Sequence, residues 1–258
     1  MKQVRLPPNA ALLLESMRAI GYDAAAAAAD LVDNSITANA RSVSIRFDPG
    51  RPRALAVIDD GTGMDDVGLL AAMRHGSQSP ADRRAENDLG RFGLGLKTAS
   101  MSQCRRLTVV SRRVGGAPHG MVWDLDTVIA TQDWTVGVLE QKELETVPFL
   151  DELLARPSGT LVVWEKLDRI ADGDPGDGSV LSDRMTQVGD HLARVFHRYL
   201  SGNPTRLRLD VNLQPVAPID PFLESEGALA GEEERICATR PSLHVRAGRA
   251  APRRNERR

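Results

Sequence analysis

The chain has 258 residues, enough for one large domain or two smaller ones, each with its own core. Its 41% hydrophobic and 26% charged residues are ordinary for a soluble globular protein, and no apolar run approaches the length of a membrane span. The net charge of -2 excludes a global electrostatic attraction to nucleic acid or to a membrane. The two cysteines, Cys104 and Cys237, form no zinc or disulfide pattern, and the N-terminus lacks a signal peptide, so we expect a cytoplasmic protein with no membrane partner.

Helix caps and apolar periodicity predict the elements of the first half of the chain. Asn9, Asp23 and Asp65 are each placed to cap a helix, and polar–apolar alternation or a short apolar run predicts the strands. The predicted elements are helices over residues 9–20, 24–38 and 65–73, and strands over residues 42–47 and 54–58.

The second half begins with a polar, irregular stretch, residues 76–92, which we expect to be a mobile loop. The elements predicted after it are a helix over residues 94–101, strands over 107–111, 120–124 and 160–165, a long helix over 183–200 and a strand over 207–213. Because helices come first and strands then follow with little βαβ alternation, the pattern predicts an α+β fold, a two-layer α/β sandwich. Residues 235–258 hold eight arginines against one acidic residue, and we expect them to be disordered.

Two segments place polar groups on a helix face and at a strand end. Asp30 and Asn34 share one face of a predicted helix, where an amide oxygen can ligate Mg²⁺ and a carboxylate can accept a proton from water. Asp59 directly follows a predicted strand, where its carboxylate can accept a hydrogen bond from an exocyclic amine. Gly61 and Gly63 follow it and let the backbone approach a flat ring. Taken alone, the first segment is more typical of two polar residues on a solvated helix face, and the second is also compatible with a simple turn because DxGxG is common.

Two further segments suit phosphate and the support of Asp59. Residues 90–98 place glycines before a predicted helix, so that exposed backbone N–H groups and Lys97 can bind phosphate. Leu96 separates Gly95 from Lys97, which departs from the Walker A spacing, and no βαβ unit of the Rossmann kind surrounds the segment. Thr160 begins a predicted strand, where its hydroxyl can support Asp59 through a water molecule.

In this order, the four segments resemble the N box, the DxGxG box, the glycine-rich lid and the GT motif of GHKL ATPases, whose fold type II topoisomerase, MutL and MORC ATPases share. The resemblance covers about residues 12–165 and is greatest, over residues 93–101, to the MORC branch and its bacterial histidine kinase-like relatives. It implies the Bergerat ATP-binding fold, a mixed, mainly antiparallel sheet with helices on one face. ATP would lie between the helices and a lid at about residues 76–95.

The resemblance also implies a role for each matching residue. Asp30 falls where the general base sits, Asn34 would hold Mg²⁺, Asp59 would bind adenine with help from Thr160, and Gly63 would pack on the ring. Backbone groups of the glycine-rich segment, together with its lysine, would hold the phosphates. The full expected nucleotide-binding set is Asn34, Asp59, Gly61, Gly63, Met64, Gly90, Gly93, Leu94, Gly95, Leu96, Lys97 and Thr160.

The chain departs from the family at the base, where Asp30 replaces the usual glutamate. Its carboxylate is one methylene shorter, and a displacement of about 1 Å can cost on the order of 10²-fold in rate. Asp33 is expected to point roughly 100° away around the helix and therefore not to replace Asp30. The family often has an acidic residue where this chain has Thr37.

The chain after residue 170 resembles the start of the second domain of MORC-like proteins. The sequence therefore predicts an ATP-binding domain over residues 1–170, an incomplete transducer-like domain over residues 171–222 and a tail over residues 223–258. We expect the chain to be truncated relative to proteins with a complete second domain, for instance by a frameshift.

These features predict an ATP-dependent conformational switch that forms a homodimer on binding ATP and hydrolyses it slowly. A nucleotide-binding module without useful turnover is the main alternative, which Asp30 and the incomplete second domain favour. A DNA-associated protein that uses the arginine-rich tail is another, because clustered arginines pair with phosphate. The ATP domain of a histidine kinase is disfavoured, because no preceding helix pair carries a phosphate-accepting histidine.

Overall fold

A computed structural model gives the fold of most of the chain. It describes residues 3–4, 8–19, 22–48, 54–74, 95–172, 178–202 and 204–222. Several sequence predictions fall outside the described residues: the loop over 76–92, the tail over 223–258, Cys237, and the expected site residues Gly90, Gly93 and Leu94.

The described elements agree with most of those predicted. The helices are α1 (Ala10–Arg18), α2 (Ala24–Thr37), α3 (Asp66–Met73), α4 (Gly95–Met101), α5 (Leu125–Thr131), α6 (Gln141–Leu144), α7 (Leu150–Leu154), α8 (Ser179–Val195) and α9 (His197–Leu200). The strands are β1 (Ser42–Phe47), β2 (Ala54–Asp59), β3 (Arg106–Arg112), β4 (His119–Asp124), β5 (Gly137–Val138), β6 (Gly159–Glu165), β7 (Arg208–Val211) and β8 (Gln214–Pro215). The three predicted helix caps are confirmed, because the side chains of Asn9, Asp23 and Asp65 each accept a hydrogen bond from the backbone N–H three residues later.

An eight-stranded sheet in the order β5-β4-β3-β6-β2-β1-β7-β8 forms the centre of the fold. Its neighbouring strands are antiparallel, apart from the parallel pair β1 and β7. The predicted mixed, mainly antiparallel sheet of an α+β fold is confirmed. Because Ile58 of β2 pairs with Leu161 of β6, the end of β2 lies beside the start of β6. This register brings Asp59 and Thr160 together although they are far apart in sequence.

The larger core lies on one face of the sheet. Alternate strand residues point to opposite faces, so Leu55 and Val57 of β2 and Val162 and Trp164 of β6 all enter this core. Helices α1, α2 and α8 cover it, and α2 contributes the small side chains of residues 27–29. Small side chains at a packing surface allow a helix to lie close to its neighbours. The core therefore fixes the position of α2, which carries Asp30 and Asn34, relative to β2.

The opposite face of the sheet carries a smaller core that the sequence did not predict. Ile58, Leu161 and Val163 pack there against Leu150 and Leu153 of α7. The sequence prediction placed no element between residues 125 and 159, where the structure has α5, β5, α6 and α7. Each of these elements has seven residues or fewer, so apolar periodicity had too little length to show.

The described residues up to Ile219 belong to one compact unit. Within this unit, α8 packs against α2 and β7 pairs with β1. The two elements assigned from sequence to a second domain therefore join the core and the sheet already described. The expected boundary at residue 170 and the partial second domain remain predictions. In the part of the chain that the structure describes, no helix is both long and apolar enough to cross a lipid bilayer.

Candidate functional site

The most constrained polar group of the site is the carboxylate of Asp59, at the end of β2. The residue is 6% exposed. Its Oδ1 accepts hydrogen bonds from the backbone N–H groups of Gly61, at 2.9 Å, and Thr160, at 3.1 Å. Its Oδ2 lies 3.1 Å from the hydroxyl of Ser35 on α2, which is also 3.1 Å from the carbonyl oxygen of Leu31. One hydroxyl proton serves both acceptors, so Oδ2 keeps the capacity to accept another hydrogen bond.

The charge of Asp59 reflects opposing influences. Burial is the largest influence and raises the pKa of the carboxyl above its ordinary value, against the lowering effects of the hydrogen bonds from Gly61, Ser35 and Thr160 and of the charge of Arg156. Each of the lowering influences stabilises the ionised form, which accepts hydrogen bonds and donates none. The surroundings of Asp59 are therefore suited to bind a donor such as an exocyclic amine.

The glycines after Asp59 are required by contacts within the protein. Gly63 has a φ of +64°, and a β carbon added there would lie 1.9 Å from the carbonyl oxygen of Arg112. A β carbon on Gly61 would lie 2.8 Å from the carbonyl oxygen of Ala38. The half-buried Met64 donates its backbone N–H to the hydroxyl of a serine on β3 and packs against the larger core. The glycines thus hold the loop in place, and their contact with a flat ring stays a prediction.

Thr160 contacts Asp59 in a different way from that expected. Its backbone N–H binds Oδ1 directly, while its hydroxyl lies 2.9 Å from the hydroxyl of Ser111. Ser111 also accepts the N–H of Met64, at 2.9 Å, and donates to the carbonyl of Gly159, at 3.0 Å. Ser35 and Ser111 are site residues that sequence reasoning missed. Serine is common on surfaces and in strands, so neither position gave a signal.

The acidic groups of α2 form the second part of the site. Asn34 is exposed, and Asp30 and Asp33 are partly buried. Burial raises the pKa of Asp30, against the effect of a hydrogen bond with Tyr22, another residue that the sequence did not indicate. Burial and the charge of Asp30 raise the pKa of Asp33 to about 6. The expectation that Asp33 points well away from Asp30 was wrong, because residues three apart lie about 60° apart around a helix.

Helix α4, which carries Gly95, Leu96 and Lys97, packs against α2. A β carbon added to Gly95 would lie 3.4 Å from Oδ2 of Asp30, so α4 starts beside that carboxylate. Lys97 is 2% exposed, its Nζ donates to the carbonyl oxygen of Ala72 at 2.6 Å, and burial lowers its pKa to about 8. The expected contact of Lys97 with phosphate stays a prediction.

An open cleft of about 570 Å³ is lined by the loop over residues 60–63, which includes Gly61 and Gly63 of the expected nucleotide-binding set. Its lining includes Asn39 and Arg113, but neither Asp59 nor Asp30. Because the buried carboxylate lies outside it, the size of this cleft does not identify the functional site. Among the described residues, no group of three or more His, Cys, Asp or Glu side chains is placed to hold a metal ion.

Comparison with known proteins agrees with this geometry. Residues 22–160 match the family described as "Histidine kinase-, DNA gyrase B-, and HSP90-like ATPase". The match covers more than half of the chain and includes every candidate site residue. The chain belongs to this GHKL ATPase family. The fold and the family expected from the four sequence segments are confirmed, and the closer resemblance to the MORC branch stays a prediction.

Similar GHKL proteins include several named DNA mismatch repair protein MutL. The one from Rhizobium rhizogenes is 35% identical over 226 residues, 79% of this chain and 37% of that protein. The one from Sphingopyxis alaskensis is 36% identical over 116 residues, 44% of this chain and 19% of that protein. The one from Azotobacter vinelandii is 34% identical over 106 residues, 40% of this chain and 16% of that protein. The matched part of this chain thus spans between 16% and 37% of these relatives.

Proposed function

We propose that the chain binds ATP with its adenine at Asp59, and that ATP binding and slow hydrolysis drive a conformational and dimerisation switch. The observation that carries the proposal is the buried carboxylate of Asp59, held from three elements, whose Oδ2 can accept a further hydrogen bond. The 6-amino group of adenine is a donor of the required kind. Membership of an ATPase family supports an adenine nucleotide as the ligand.

In this proposal the triphosphate lies between α2 and α4. Asp30, beside Gly95 at the start of α4, is the residue that would accept a proton from the attacking water. Gly95, Leu96 and Lys97 would bind phosphate oxygens. Asn34 would hold Mg²⁺ through its amide oxygen, and the exposed position of this side chain suits an ion that keeps waters and phosphate oxygens among its ligands. Mg²⁺ would supply neutralisation of the phosphate charge.

A second candidate is a nucleotide-binding module with no useful turnover. The observation that favours it is Asp30 itself, which is shorter than glutamate and already shares a hydrogen bond with Tyr22. A base held by another group and displaced from the attacking water would lose much of its effect. Both candidates share the ATP site at Asp59, so they differ in the rate of phosphate release and not in binding.

The switch would act in the cytoplasm. A role in DNA transactions, with the arginine-rich tail as a contact, is supported by the names of the relatives, which are DNA mismatch repair proteins. The tail itself lies outside the described residues.

The first experiment is isothermal titration of the chain with a non-hydrolysable ATP analogue and Mg²⁺. The wild type is expected to bind, and Asp59→Ala is expected to lose binding by about 10²-fold or more, because a charge-assisted hydrogen bond is removed and its partners are left unpaired. Asp151→Ala is the matched control, since it removes an exposed carboxylate from α7, which packs on the opposite face of the sheet. An Asp59→Ala variant that binds as the wild type does would overturn the proposed site.

Phosphate release and molar mass then separate the candidates. Measurable phosphate release with Mg²⁺, lost on chelation, supports the ATPase. Binding without release supports the nucleotide-binding module. Light scattering with and without the analogue tests dimerisation, and a mass unchanged by the analogue at concentrations well above its Kd would contradict the dimerisation switch.

A further inference from the structure

Arg156, between α7 and β6, binds the strand that ends at Asp59. Its Nη1 donates to the carbonyl oxygen of Ile58, at 2.8 Å, and its Nη2 donates to the hydroxyl of Ser44 on β1, at 2.9 Å. Ile58 immediately precedes Asp59 in β2, and Ser44 is the partner of Ile58 in β1. The guanidinium therefore contacts both strands next to the peptide unit that carries Asp59.

The residues that follow Arg156 extend this contact. The hydroxyl of Ser158 donates to the carbonyl of Gly61, at 2.7 Å, and the N–H of Thr160 donates to Asp59. Gly159 has a φ of +146°, and a β carbon added there would lie 2.0 Å from the carbonyl oxygen of Asp59. A single segment, residues 156–160, thus holds the backbone on both sides of Asp59 and its carboxylate.

The charges around Asp59 single out Arg156. The charged side chains on the elements packed against Asp59 are Asp30 and Asp33 on α2, Asp60 in the loop after β2, Arg46 on β1, Glu152 on α7 and Arg156. Arg46 is already engaged in salt bridges with Glu152 and Asp210. Arg156 donates hydrogen bonds to neutral oxygens and interacts electrostatically with Asp60, Asp59 and Glu152. Its charge is therefore available to the buried carboxylate.

We propose that Arg156 is a positioning residue for nucleotide selection, which holds the end of β2 and supplies the positive charge that keeps Asp59 an acceptor for 6-amino purines. This inference rests on the proposed ATP site. An ionised Asp59 accepts a hydrogen bond from a 6-amino group and repels a 6-oxo group, whereas a protonated Asp59 can donate to the 6-oxo group. Loss of the Arg156 charge therefore weakens both ATP binding and the discrimination against 6-oxo nucleotides.

The test compares neutral and charged replacements of Arg156. Binding of the ATP analogue and of inosine triphosphate is measured between pH 5 and pH 8.5 for the wild type, Arg156→Gln, Arg156→Met and Arg156→Lys. Because Asp59 must be ionised, ATP binding is expected to fall as the pH drops. The midpoint of that fall is expected to move to higher pH in the two neutral variants and to return close to the wild-type value in the lysine variant. Preference for ATP over inosine triphosphate at pH 6.5 is expected to fall about 5-fold in the neutral variants.

Arg112→Met is the matched control. Arg112 also contacts this region, through the carbonyl oxygens of Leu154 and Pro157 at 3.5 and 3.4 Å, but its side chain makes no described contact with the end of β2. Its removal is expected to leave the midpoint unchanged. If the neutral Arg156 variants weaken binding equally at every pH, with no shift of the midpoint, Arg156 has only a structural role and the inference is overturned.

A ligand-free measurement separates this inference from the proposed function. The pKa of the Asp59 carboxyl is followed by carbon NMR in the wild type and in Arg156→Gln, or in Arg156→Met if the glutamine variant does not fold. A raised pKa in the variant supports the effect of Arg156 even where the wild type binds no ATP, a result that would overturn only the proposed function. An unchanged pKa overturns the inference even where ATP binds.

Discussion

The two ends of the proposed site are built in different ways. At the adenine end, Asp59 lies in the sheet, and its carboxylate accepts hydrogen bonds from α2, from the loop after β2 and from β6. At the phosphate end, Asn34 is exposed, Asp30 is partly buried, and Lys97 donates to a carbonyl of α3. The first end is preorganised by the fold, and the second consists of side chains on helices. Substitutions should therefore damage fold and binding together at the first end, and phosphate binding or turnover without loss of the fold at the second.

The largest effect that tests this contrast is expected from Gly159→Ala. The new β carbon would lie 2.0 Å from the carbonyl oxygen of Asp59 at a φ of +146°, so the start of β6 has to move. We expect a loss of about 3 kcal/mol or more in the free energy of unfolding, measured by denaturant titration, together with a loss of ATP binding.

Gly115→Ala is the control for Gly159→Ala. Gly115 also has a positive φ, of +71°, but a β carbon there would meet nothing within 4 Å. It should cost only about 1 kcal/mol, the backbone contribution alone. Equal losses in the two variants would contradict the view that the end of β2 is held by close packing.

At the phosphate end, Asp30 is expected to affect turnover with little effect on binding or stability. Asp30→Asn should lower phosphate release by about 10²-fold, since the group that accepts the proton is lost, and should change the Kd of the ATP analogue by less than about 3-fold. Asp30→Glu restores the length usual in the family and should raise phosphate release by about 10-fold. Single-turnover assays measure both rates.

A glutamate variant that is slower than the wild type would show that the site has adapted to aspartate. Loss of ATP binding in Asp30→Asn would show instead that this end is as constrained as Asp59, and the contrast between the two ends would fail.

The sequence revealed the parts of the fold and site that depend on neighbouring residues. The caps at Asn9, Asp23 and Asp65 and the Asp30–Asn34 spacing are local patterns, and each lies on the element predicted for it. The contacts of Ser35, Ser111 and Arg156 with the Asp59 region join residues that are distant in sequence. No local pattern encodes them, because they depend on the packing of α2 on the sheet, on the registers of β6 with β2 and β3, and on α7, which was too short to predict.

Lys97→Met should sharpen the contrast by separating affinity from stability. Burial lowers the pKa of Lys97 from 10.5 to about 8, so between these values the unfolded chain binds a proton that the folded chain does not. The free energy of unfolding of the wild type should therefore rise with pH from about 8 to 10.5, by on the order of 2 kcal/mol. The methionine variant should lose this rise and should bind the ATP analogue about 10-fold more weakly.

The matched measurement for Lys97→Met is the same pH series on Arg113→Met, whose arginine is 61% exposed. That variant should keep the wild-type rise. If Lys97→Met also keeps it, the rise comes from another group. If ATP affinity is unchanged, Lys97 supports α3 through Ala72 and is not a phosphate ligand.

The smallest expected effect comes from Asp33→Asn, which tests whether placing Asp30 and Asp33 together on α2 lowers the free energy of unfolding. Its pKa is raised from 3.8 to about 6 by burial and by Asp30, so the folded chain binds a proton between these values that the unfolded chain has lost. The stabilising contribution is present below about pH 4 and is lost as the pH rises through 6.

Asp33→Asn removes this dependence. At pH 7.5 it should therefore raise the free energy of unfolding by about 1 kcal/mol, less than the full shift because the side chain is only partly buried and solvent screens it. Since Asn34 and Asp30 are untouched, ATP binding should stay within about 3-fold of the wild type.

If the variant gains no more stability over the wild type at pH 7.5 than at pH 4.5, the acidic pair on α2 does not lower the free energy of unfolding. A large loss of binding would instead place Asp33 inside the phosphate end of the site.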